Sequence, residues 1–198
     1  MTKIHPFVKN VDTWATMTKS KYEERILDIY NLFQFPTSAD VVADIGCGAH
    51  AGIFSKFRYP TMYAVDPGWK AYKKRGMAHM PEGVTDIQSM AHDLVLPKKC
   101  DFIITVNAID HSGNIKKNLV TAMDNIKDGG DLYLHTHMRV KRQLDNLHRM
   151  ELTEDILDKA LSDYTFVRRD IYKTDPLFSP AKQKARLRDT YVAVVRKK

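Results

Sequence analysis

The sequence predicts an α/β protein with a mainly parallel sheet, because strand-like and helix-like segments alternate along the first two thirds of the chain. Apolar runs typical of buried strands lie at 41–46, 61–67, 84–90, 101–108 and 131–138. Helices are predicted at 18–34, 50–57, 69–79 and 114–127. Such alternation is typical of βαβ units, in which each crossover helix packs on the sheet. The run at 101–108 is nearly all apolar, which predicts a central strand.

The last third of the chain has a different pattern. Asp128-Gly129-Gly130 is predicted to end the 114–127 helix, because glycine is favoured just after a helix C-terminus. Residues 151–164 are predicted as another helix, with Thr153 as its N-cap. Two strand-like runs follow at 165–172 and 189–198 without a clear helix between them. We therefore expect these two strands to pair antiparallel.

The length of the chain, 198 residues, suits one globular domain. Residues 1–36 are predicted to form a helical cap or lid, and residues 37–198 the main unit. The candidates for covering the cleft are Trp14, Met17 and Tyr22, although an ordinary packing helix is equally consistent with this stretch.

Cysteine usage and hydropathy predict a cytoplasmic protein. Cys47 and Cys100 are the two cysteines, which argues against a disulfide scaffold and fits a reducing compartment. No apolar run approaches the ~20 residues that span a bilayer. The first residues lack the continuous apolar stretch of a signal peptide. We therefore expect no membrane association.

The net charge of +7 raises the question of an anionic partner such as nucleic acid. Much of the excess lies near the end of the chain, at 182–188 and 196–198. No RNA-binding signature with interleaved aromatic residues accompanies these runs. A solvated basic surface is the favoured interpretation, and nucleic-acid binding is the alternative.

A glycine-rich turn follows the first predicted strand and indicates a nucleotide-like ligand. It reads Asp44-Ile45-Gly46-Cys47-Gly48, and glycines there let a ligand approach bare backbone. Asp66 ends the next strand, 66 − 48 = 18 residues after Gly48, close to the spacing of an acidic residue that binds ribose hydroxyls. The alternative is that Asp66, Pro67 and Gly68 form only a turn.

Two cofactors fit this pattern, and Asp44 favours one of them. The glycine spacing also matches a dinucleotide fingerprint, so NAD is an alternative. A carboxylate two residues before the first glycine would lie near the NAD pyrophosphate, and like charges repel in a cleft. S-adenosylmethionine (SAM) has no phosphate, and it carries an ammonium group and a sulfonium. Asp44 therefore favours SAM.

The chain resembles the class I SAM-dependent methyltransferases, particularly the broad small-molecule group called type 11. Asp44 to Gly48 resembles the first motif of this family, and Ala64-Val65-Asp66 the second. Residues 90–94 stand at its adenine-contacting loop, and 100–111 and 125–134 resemble its motifs around the fourth and fifth strands. In two departures, His50 stands where a third glycine is common and Met90 where an acidic residue is common.

The resemblance implies a Rossmann-like, seven-stranded, mostly parallel sheet with an antiparallel C-terminal strand and helices on both faces. It also implies methyl transfer from SAM to a nucleophile, with S-adenosylhomocysteine (SAH) as product. The residues expected to bind the cofactor are Asp44, Gly46, Cys47, Gly48, Asp66, Pro67, Met90, Ala91 and Asn107.

The acceptor is expected at the carboxyl ends of the fourth and fifth strands. His111 is the candidate general base, because histidine titrates near neutral pH and family members often place acceptor-side groups there. Four residues are candidates for binding the acceptor: His135, His137, Arg139 and His148. His135 and His137, with His148 or Asp110, also suggest a divalent metal site, but a third ligand is unconfirmed and no metal is predicted.

A small molecule with an oxygen or nitrogen nucleophile is the favoured acceptor. After the fourth strand, the residues Asn107 to Asp110 do not resemble the Asp/Asn-Pro-Pro-aromatic motif of amino-methylating DNA enzymes. Neither cysteine follows a proline, as cytosine-C5 methylation would require. Two alternatives stay open, namely a SAM-binding protein without transfer activity and an RNA-directed methyltransferase that uses the basic tail. The oligomeric state is not predicted.

Overall fold

The computed structural model describes residues 19–111, 113–139, 150–177 and 189–198. Its strands form one seven-stranded sheet. They are β1 (Val41–Ile45), β2 (Thr61–Val65), β3 (Val84–Ile87), β4 (Cys100–Val106), β5 (Ile126–His137), β6 (Thr165–Tyr172) and β7 (Thr190–Arg196). The strand order is β3-β2-β1-β4-β5-β7-β6, and β7 runs antiparallel to both β5 and β6. The other neighbouring pairs are parallel, so the predicted sheet and its antiparallel C-terminal strand are confirmed.

Four α-helices of the described residues pack on the two faces of this sheet. They are α1 (Lys19–Phe33), α2 (Trp69–Lys74), α3 (Ile115–Asp124) and α4 (Glu154–Leu161). Buried side chains of α3 and α4, such as Leu119 and Leu157, belong to one apolar cluster with the sheet. Buried side chains of α1 and α2, such as Ile26 and Trp69, belong to a second cluster. The helices therefore cover both faces, as predicted.

The burial of each strand follows its place in the sheet. Every residue of β1 is buried, since helices cover a parallel strand on both sides. β4 lies between β1 and β5, which confirms the predicted central strand. At the edge, the first six residues of β6 alternate between exposed and partly buried, the period of a strand with one face in solvent.

The helix predicted at 50–57 is wrong. Two short 3₁₀ turns, Gly48–His50 and Gly52–Ser55, stand in its place. Ala51 between them has a left-handed backbone with φ of 58°, which interrupts a right-handed helix. The Ile53 N–H donates to the Asp44 carboxylate rather than to a backbone carbonyl of a preceding turn.

The predicted helix stop at Asp128-Gly129-Gly130 is also wrong. Helix α3 ends at Asp124, and 128–130 lie within β5. The pairing of β5 with β4 shifts register between Cys100–Ile126 and Phe102–Asp131, so the extra residues are accommodated as an irregularity in the strand. By contrast, the predicted N-cap of α4 is confirmed, because the Thr153 side chain accepts the Ile156 N–H at 3.4 Å.

None of the helices in the described part of the chain has the length and hydropathy of a transmembrane span.

Candidate active site

The glycine turn after β1 lies against two neighbouring segments. Gly46 has φ of +77°, and a Cβ there would stand 2.1 Å from the Ala108 Cβ in the segment after β4. A Cβ at Gly52 would stand 1.8 Å from Asp44 Oδ2. At both positions only glycine permits such an approach. The turn is therefore wrapped around the end of β1 and packed beside the end of β4.

Asp44 is a buried carboxylate in β1, just before the turn. Its Oδ2 accepts the Ile53 N–H at 2.8 Å, and the residue is 6% exposed. Burial raises the pKa of Asp44 to about 7, the Ile53 hydrogen bond lowers it, and the nearby charge of Asp66 raises it further. Asp44 is therefore poised to lose its proton when a positive group arrives.

Asp66 follows β2 and accepts hydrogen bonds from the glycine turn and from the turn that precedes α2. Its Oδ2 accepts the Gly48 N–H at 3.0 Å, and its Oδ1 accepts the Gly68 N–H at 2.7 Å. Burial raises the pKa of Asp66, while these bonds and one from the Tyr72 side chain lower it. A carboxylate has about four lone-pair sites and these three bonds occupy three of them, so capacity remains for about one ligand hydroxyl. The structure thus joins Asp66 to the glycine turn, as the spacing predicted.

The two carboxylates form one electrostatic unit. Asp66 raises the pKa of Asp44, which places the two side chains within range of each other at the ends of adjacent parallel strands. No basic side chain of the described residues forms an ion pair with either of them. Two buried carboxylates without a cation are costly, so the site favours a ligand with positive charge.

Helix α1 packs over the glycine turn through Tyr22. The Tyr22 hydroxyl donates to the Cys47 carbonyl at 3.1 Å, and its ring stacks on His50 with centroids 4.4 Å apart. His50 stacks in turn on His79 at 4.7 Å. His50, which departs from the usual third glycine, therefore links α1 to the turn. Trp14 and Met17, the other lid candidates, lie outside the described residues.

The remaining predicted cofactor residues lie at the same edge of the sheet. Cys47 is buried in the glycine turn, and burial raises the pKa of its thiol well above the usual value. Pro67 follows Asp66 and is exposed. Met90 and Ala91 follow β3, where Ala91 begins a 3₁₀ turn that ends at Asp93. These residues flank the carboxylate pair by position, without a described bond to it.

Asn107 follows β4 in a strained conformation. Its φ is 51°, and its N–H donates to the His135 carbonyl at 2.9 Å. Its Oδ1 is buried and has no hydrogen-bond partner among the described residues. A buried amide oxygen of this kind is costly unless a ligand donates to it. Asn107 therefore fits the predicted role of a ligand-binding residue.

A second polar cluster lies at the carboxyl end of β5. His135 Nε2 lies 3.0 Å from Asp175 Oδ1, and His137 Nε2 lies 2.6 Å from Asp175 Oδ2. Burial would raise the pKa of Asp175, but the bonds with both histidines outweigh it and hold that pKa well below its usual range. Burial lowers the pKa of His135, which keeps that imidazole neutral. The two histidines thus share one carboxylate.

Asp175 is not among the residues predicted from the sequence. It lies in the segment after β6, 40 residues from His135, and no local motif marks it. The Asp-Pro pair at 175–176 is typical of a turn, which by itself indicates no functional role.

A buried ion pair joins the ends of β4 and β5. Arg139 Nη2 lies 3.2 Å from Asp110 Oδ2, and both side chains are at most 2% exposed. His111 lies beside this pair, with Nε2 3.7 Å from Asp110 Oδ1 and 29% of its side chain exposed. His111 is therefore reachable from solvent, as a general base must be. His148 lies outside the described residues.

The described residues hold no group of three or more metal-ligating side chains suited to a metal ion. The two residues of the His135-x-His137 pair point at Asp175, and Asp110 pairs with Arg139. A groove at the opposite, amino-terminal edge of the sheet is lined by other residues, including Asp40, Arg58 and Asp101. It contains none of the predicted site residues.

The sheet order and the carboxylate-lined glycine turn define a class I SAM-dependent methyltransferase. The chain belongs to the methyltransferase-domain family, whose sequence model matches residues 18–165. It is therefore a SAM-dependent methyltransferase enzyme, and SAM is its methyl donor. Comparison with curated proteins gives no match.

Solved structures share this fold at low sequence identity. NodS, an N-methyltransferase from Bradyrhizobium japonicum WM9 solved with SAH, is similar with a TM-score of 0.63 and 10% identity over 96% of this chain and 97% of that one. The 1,6-didemethyltoxoflavin-N1-methyltransferase of Burkholderia thailandensis was solved with 1,6-didemethyltoxoflavin and SAH bound. It is similar with a TM-score of 0.60 and 16% identity over 96% of this chain and 83% of that one. A Haloferax volcanii methyltransferase in complex with the activator Trm112 is similar with a TM-score of 0.67 and 14% identity over 94% of this chain and 96% of that one.

Proposed function

We propose that the enzyme transfers the SAM methyl group to an oxygen or nitrogen nucleophile of a small molecule. The observation that carries the proposal is the pair of buried carboxylates, Asp44 and Asp66, joined by the glycine turn beside Asn107. The proposed cofactor-binding set is Asp44, Gly46, Cys47, Gly48, Asp66, Pro67, Met90, Ala91 and Asn107.

Each polar member of this set has a physical reason to bind SAM. Asp66 retains about one lone pair for a ribose hydroxyl after accepting two backbone N–H groups and the bond from Tyr72. Asp44 supplies negative charge for the ammonium group of SAM, and Asn107 Oδ1 supplies an acceptor for an ammonium N–H. SAM itself provides an activated methyl group on a sulfonium. The protein then mainly has to align donor and nucleophile, which supplies up to ~7–11 kcal/mol of a barrier.

On the acceptor side, we propose His111 as the general base. Its side chain is partly exposed, unlike His135, which is completely buried. Asp110 lies close enough to stabilise an imidazolium formed at His111. The proposed acceptor-binding residues are His135, His137, Arg139 and His148. Asp175 orients the first two through its two carboxylate oxygens.

A small-molecule acceptor is supported over RNA by the described end of the chain. Arg196 forms two bonds with Asp131, at 2.9 and 3.0 Å, and Lys197 Nζ donates to the Ile126 carbonyl at 2.9 Å. These basic groups are partly neutralised within the fold, which weakens their attraction for phosphates. The basic run at 182–188 lies outside the described residues. The toxoflavin-precursor enzyme provides a small-molecule precedent on the same fold.

The experiment measures SAH formed from SAM with two separate acceptor pools, cell metabolites and total RNA. We expect SAH with the metabolite pool, and a His111→Gln variant to form it about 10²–10⁴-fold more slowly at pH 7, the usual contribution of a general base. The loss should shrink at high pH, where the acceptor ionises without a base.

Three results would count against parts of this proposal. SAH formed only with RNA would contradict the small-molecule acceptor. SAM binding without SAH from either pool would indicate a binding protein rather than a transferase. An unchanged rate in His111→Gln would remove His111 as the base while leaving the transfer activity intact.

A further inference from the structure

Arg139 is a buried arginine held firmly in place. It follows β5, and its backbone forms an isolated bridge with Leu152, with N···O distances of 2.8 and 2.9 Å in the two directions. The residue is 2% exposed and is among the largest fully buried side chains of the described chain. Its guanidinium is therefore largely removed from water, which makes unpaired N–H donors there costly.

The hydrogen bonds of Arg139 are incomplete. Nη2 donates to Asp110 Oδ2 at 3.2 Å, whereas Nε and Nη1 have no hydrogen-bond partner in the part of the chain that the structure describes. A guanidinium carries five N–H donors, and Nε and Nη1 account for three of them. Burying a charged group with most of its donors unpaired is unfavourable unless a ligand completes the set.

The unpaired donors lie on the acceptor side of the proposed site. Asp110, which holds the guanidinium, belongs to the 3₁₀ turn Ile109–His111 directly after β4. His111, the proposed base, stands 3.7 Å from the other oxygen of Asp110. Arg139 itself lies two residues after His137 in the chain. A group bound by Arg139 would thus lie beside the proposed base, His111, and not beside Asp44 and Asp66.

We propose that the methyl acceptor carries an anionic oxygen group, a carboxylate or a phosphate, which Arg139 binds through Nε and Nη1. This inference rests on the proposed function, because it names the acceptor class of the same site. Asp110 orients the guanidinium, and the planar fork of arginine matches the oxygens of either anion. A neutral or cationic acceptor would leave the buried donors without a charged partner.

Anion binding is tested first by thermal unfolding of the SAH-saturated protein, at constant ionic strength, in acetate, phosphate, acetamide or chloride. We expect acetate or phosphate to raise the wild-type midpoint by about 2–4 °C relative to chloride, and acetamide to have no such effect. This increase of the midpoint in acetate or phosphate over chloride should disappear in Arg139→Gln. It should persist in Arg169→Gln, which removes an arginine of the surface cluster with Glu154 and Asp158. A response to acetate alone assigns a carboxylate, and one to phosphate alone assigns a phosphate.

Equal midpoints in all four solutions, or an equal anion response in Arg139→Gln, would overturn the proposal. Should Arg139→Gln not fold, Asp110→Asn provides the second variant. It keeps Arg139, and the asparagine oxygen can still accept the Nη2 N–H and orient the guanidinium, but the negative charge that neutralises the arginine is lost. The anion response should therefore exceed that of the wild type, and an equal or smaller response would contradict the proposal.

Turnover separates this inference from the proposed function. The metabolite pool is divided on an anion-exchange column, and each fraction is assayed for SAH formation. We expect acceptor activity in the retained, anionic fraction. Activity only in the flow-through would overturn the anionic acceptor and leave the methyltransferase function intact, whereas SAH from neither fraction would overturn both.

Discussion

Replacing Asp44 with asparagine is expected to stabilise the cofactor-free protein at pH 8 and to weaken SAM binding about 10- to 100-fold. The pKa of Asp44 is raised from 3.8 to about 7, first by burial. Its protonated form is therefore favoured in the fold, and the resulting stability is fully present below about pH 4. It is lost as the pH rises towards and through 7, by an amount of at most about 4 kcal/mol.

The neutral amide in the Asp44→Asn variant would avoid this loss and still accept the Ile53 N–H. The substitution would also remove the charge that the cationic end of SAM requires, and hydrogen bonds to charged groups contribute roughly 1.5–3 kcal/mol. Urea unfolding of both proteins at pH 5 and pH 8 measures the first effect, and calorimetric titration with SAM the second. Equal stability differences at the two pH values would contradict the assignment of the raised pKa.

Replacing Asp175 with asparagine is expected to destabilise the protein by about 2–3 kcal/mol at pH 7, because a charged acceptor of three hydrogen bonds is lost. An asparagine side chain has one acceptor oxygen, so it can no longer accept an N–H from both His135 and His137 at separate charged oxygens. The pKa of Asp175 is held below its usual range by these two histidines, against the effect of burial. Its contribution to stability is therefore present above about pH 4 and is lost as the pH falls below that value.

The measurement is denaturant unfolding of wild type and Asp175→Asn between pH 3 and pH 7. The difference in the free energy of unfolding between the two proteins should become smaller below pH 4. Asp163→Asn, which changes an exposed aspartate, serves as the control and should match the wild type throughout. A difference of the same size at every pH would show that the carboxylate charge of Asp175 does not act as described.

The sheet was predictable because its signals are local. Strands β1, β2 and β4 are short, mainly apolar runs, and Asp66 follows Asp44 by 22 residues, with the glycine turn between them. The hydrogen bond from the Gly48 N–H to Asp66 shows that residues at this spacing meet in the fold. The last two strands were expected to pair antiparallel because the sequence predicts no clear helix between them, and β6 and β7 do pair antiparallel.

Two local predictions were wrong because tertiary contacts override propensity. The helix expected after the glycine turn would place its backbone N–H groups on preceding carbonyls, but Asp44 takes the one from Ile53. Gly129 and Gly130 favour a helix end by composition, yet Asn125 ends α3 earlier. The Asn125 side chain instead accepts the Leu96 N–H and donates to the Leu94 carbonyl, in the segment before β4.

The acceptor side was the least predictable part of the molecule. His135 and His137 could be placed on one face of a strand from their spacing, but their shared partner Asp175 comes from a distant loop. Likewise, Arg139 and Asp110 are 29 residues apart, and nothing in the sequence indicates that they form a buried pair. Such contacts depend on how the ends of several strands meet.

The most direct measurement of the central claim is a calorimetric titration of SAM into the wild-type protein and into Asp66→Ala. Asp131→Asn, which changes a carboxylate at the opposite edge of the sheet, is the matched control. We predict that Asp66→Ala weakens SAM binding about 10- to 100-fold, since the ribose hydroxyls lose a charged acceptor, and that Asp131→Asn leaves it unchanged. SAM binding of equal strength in all three proteins would contradict a cofactor site at the glycine turn.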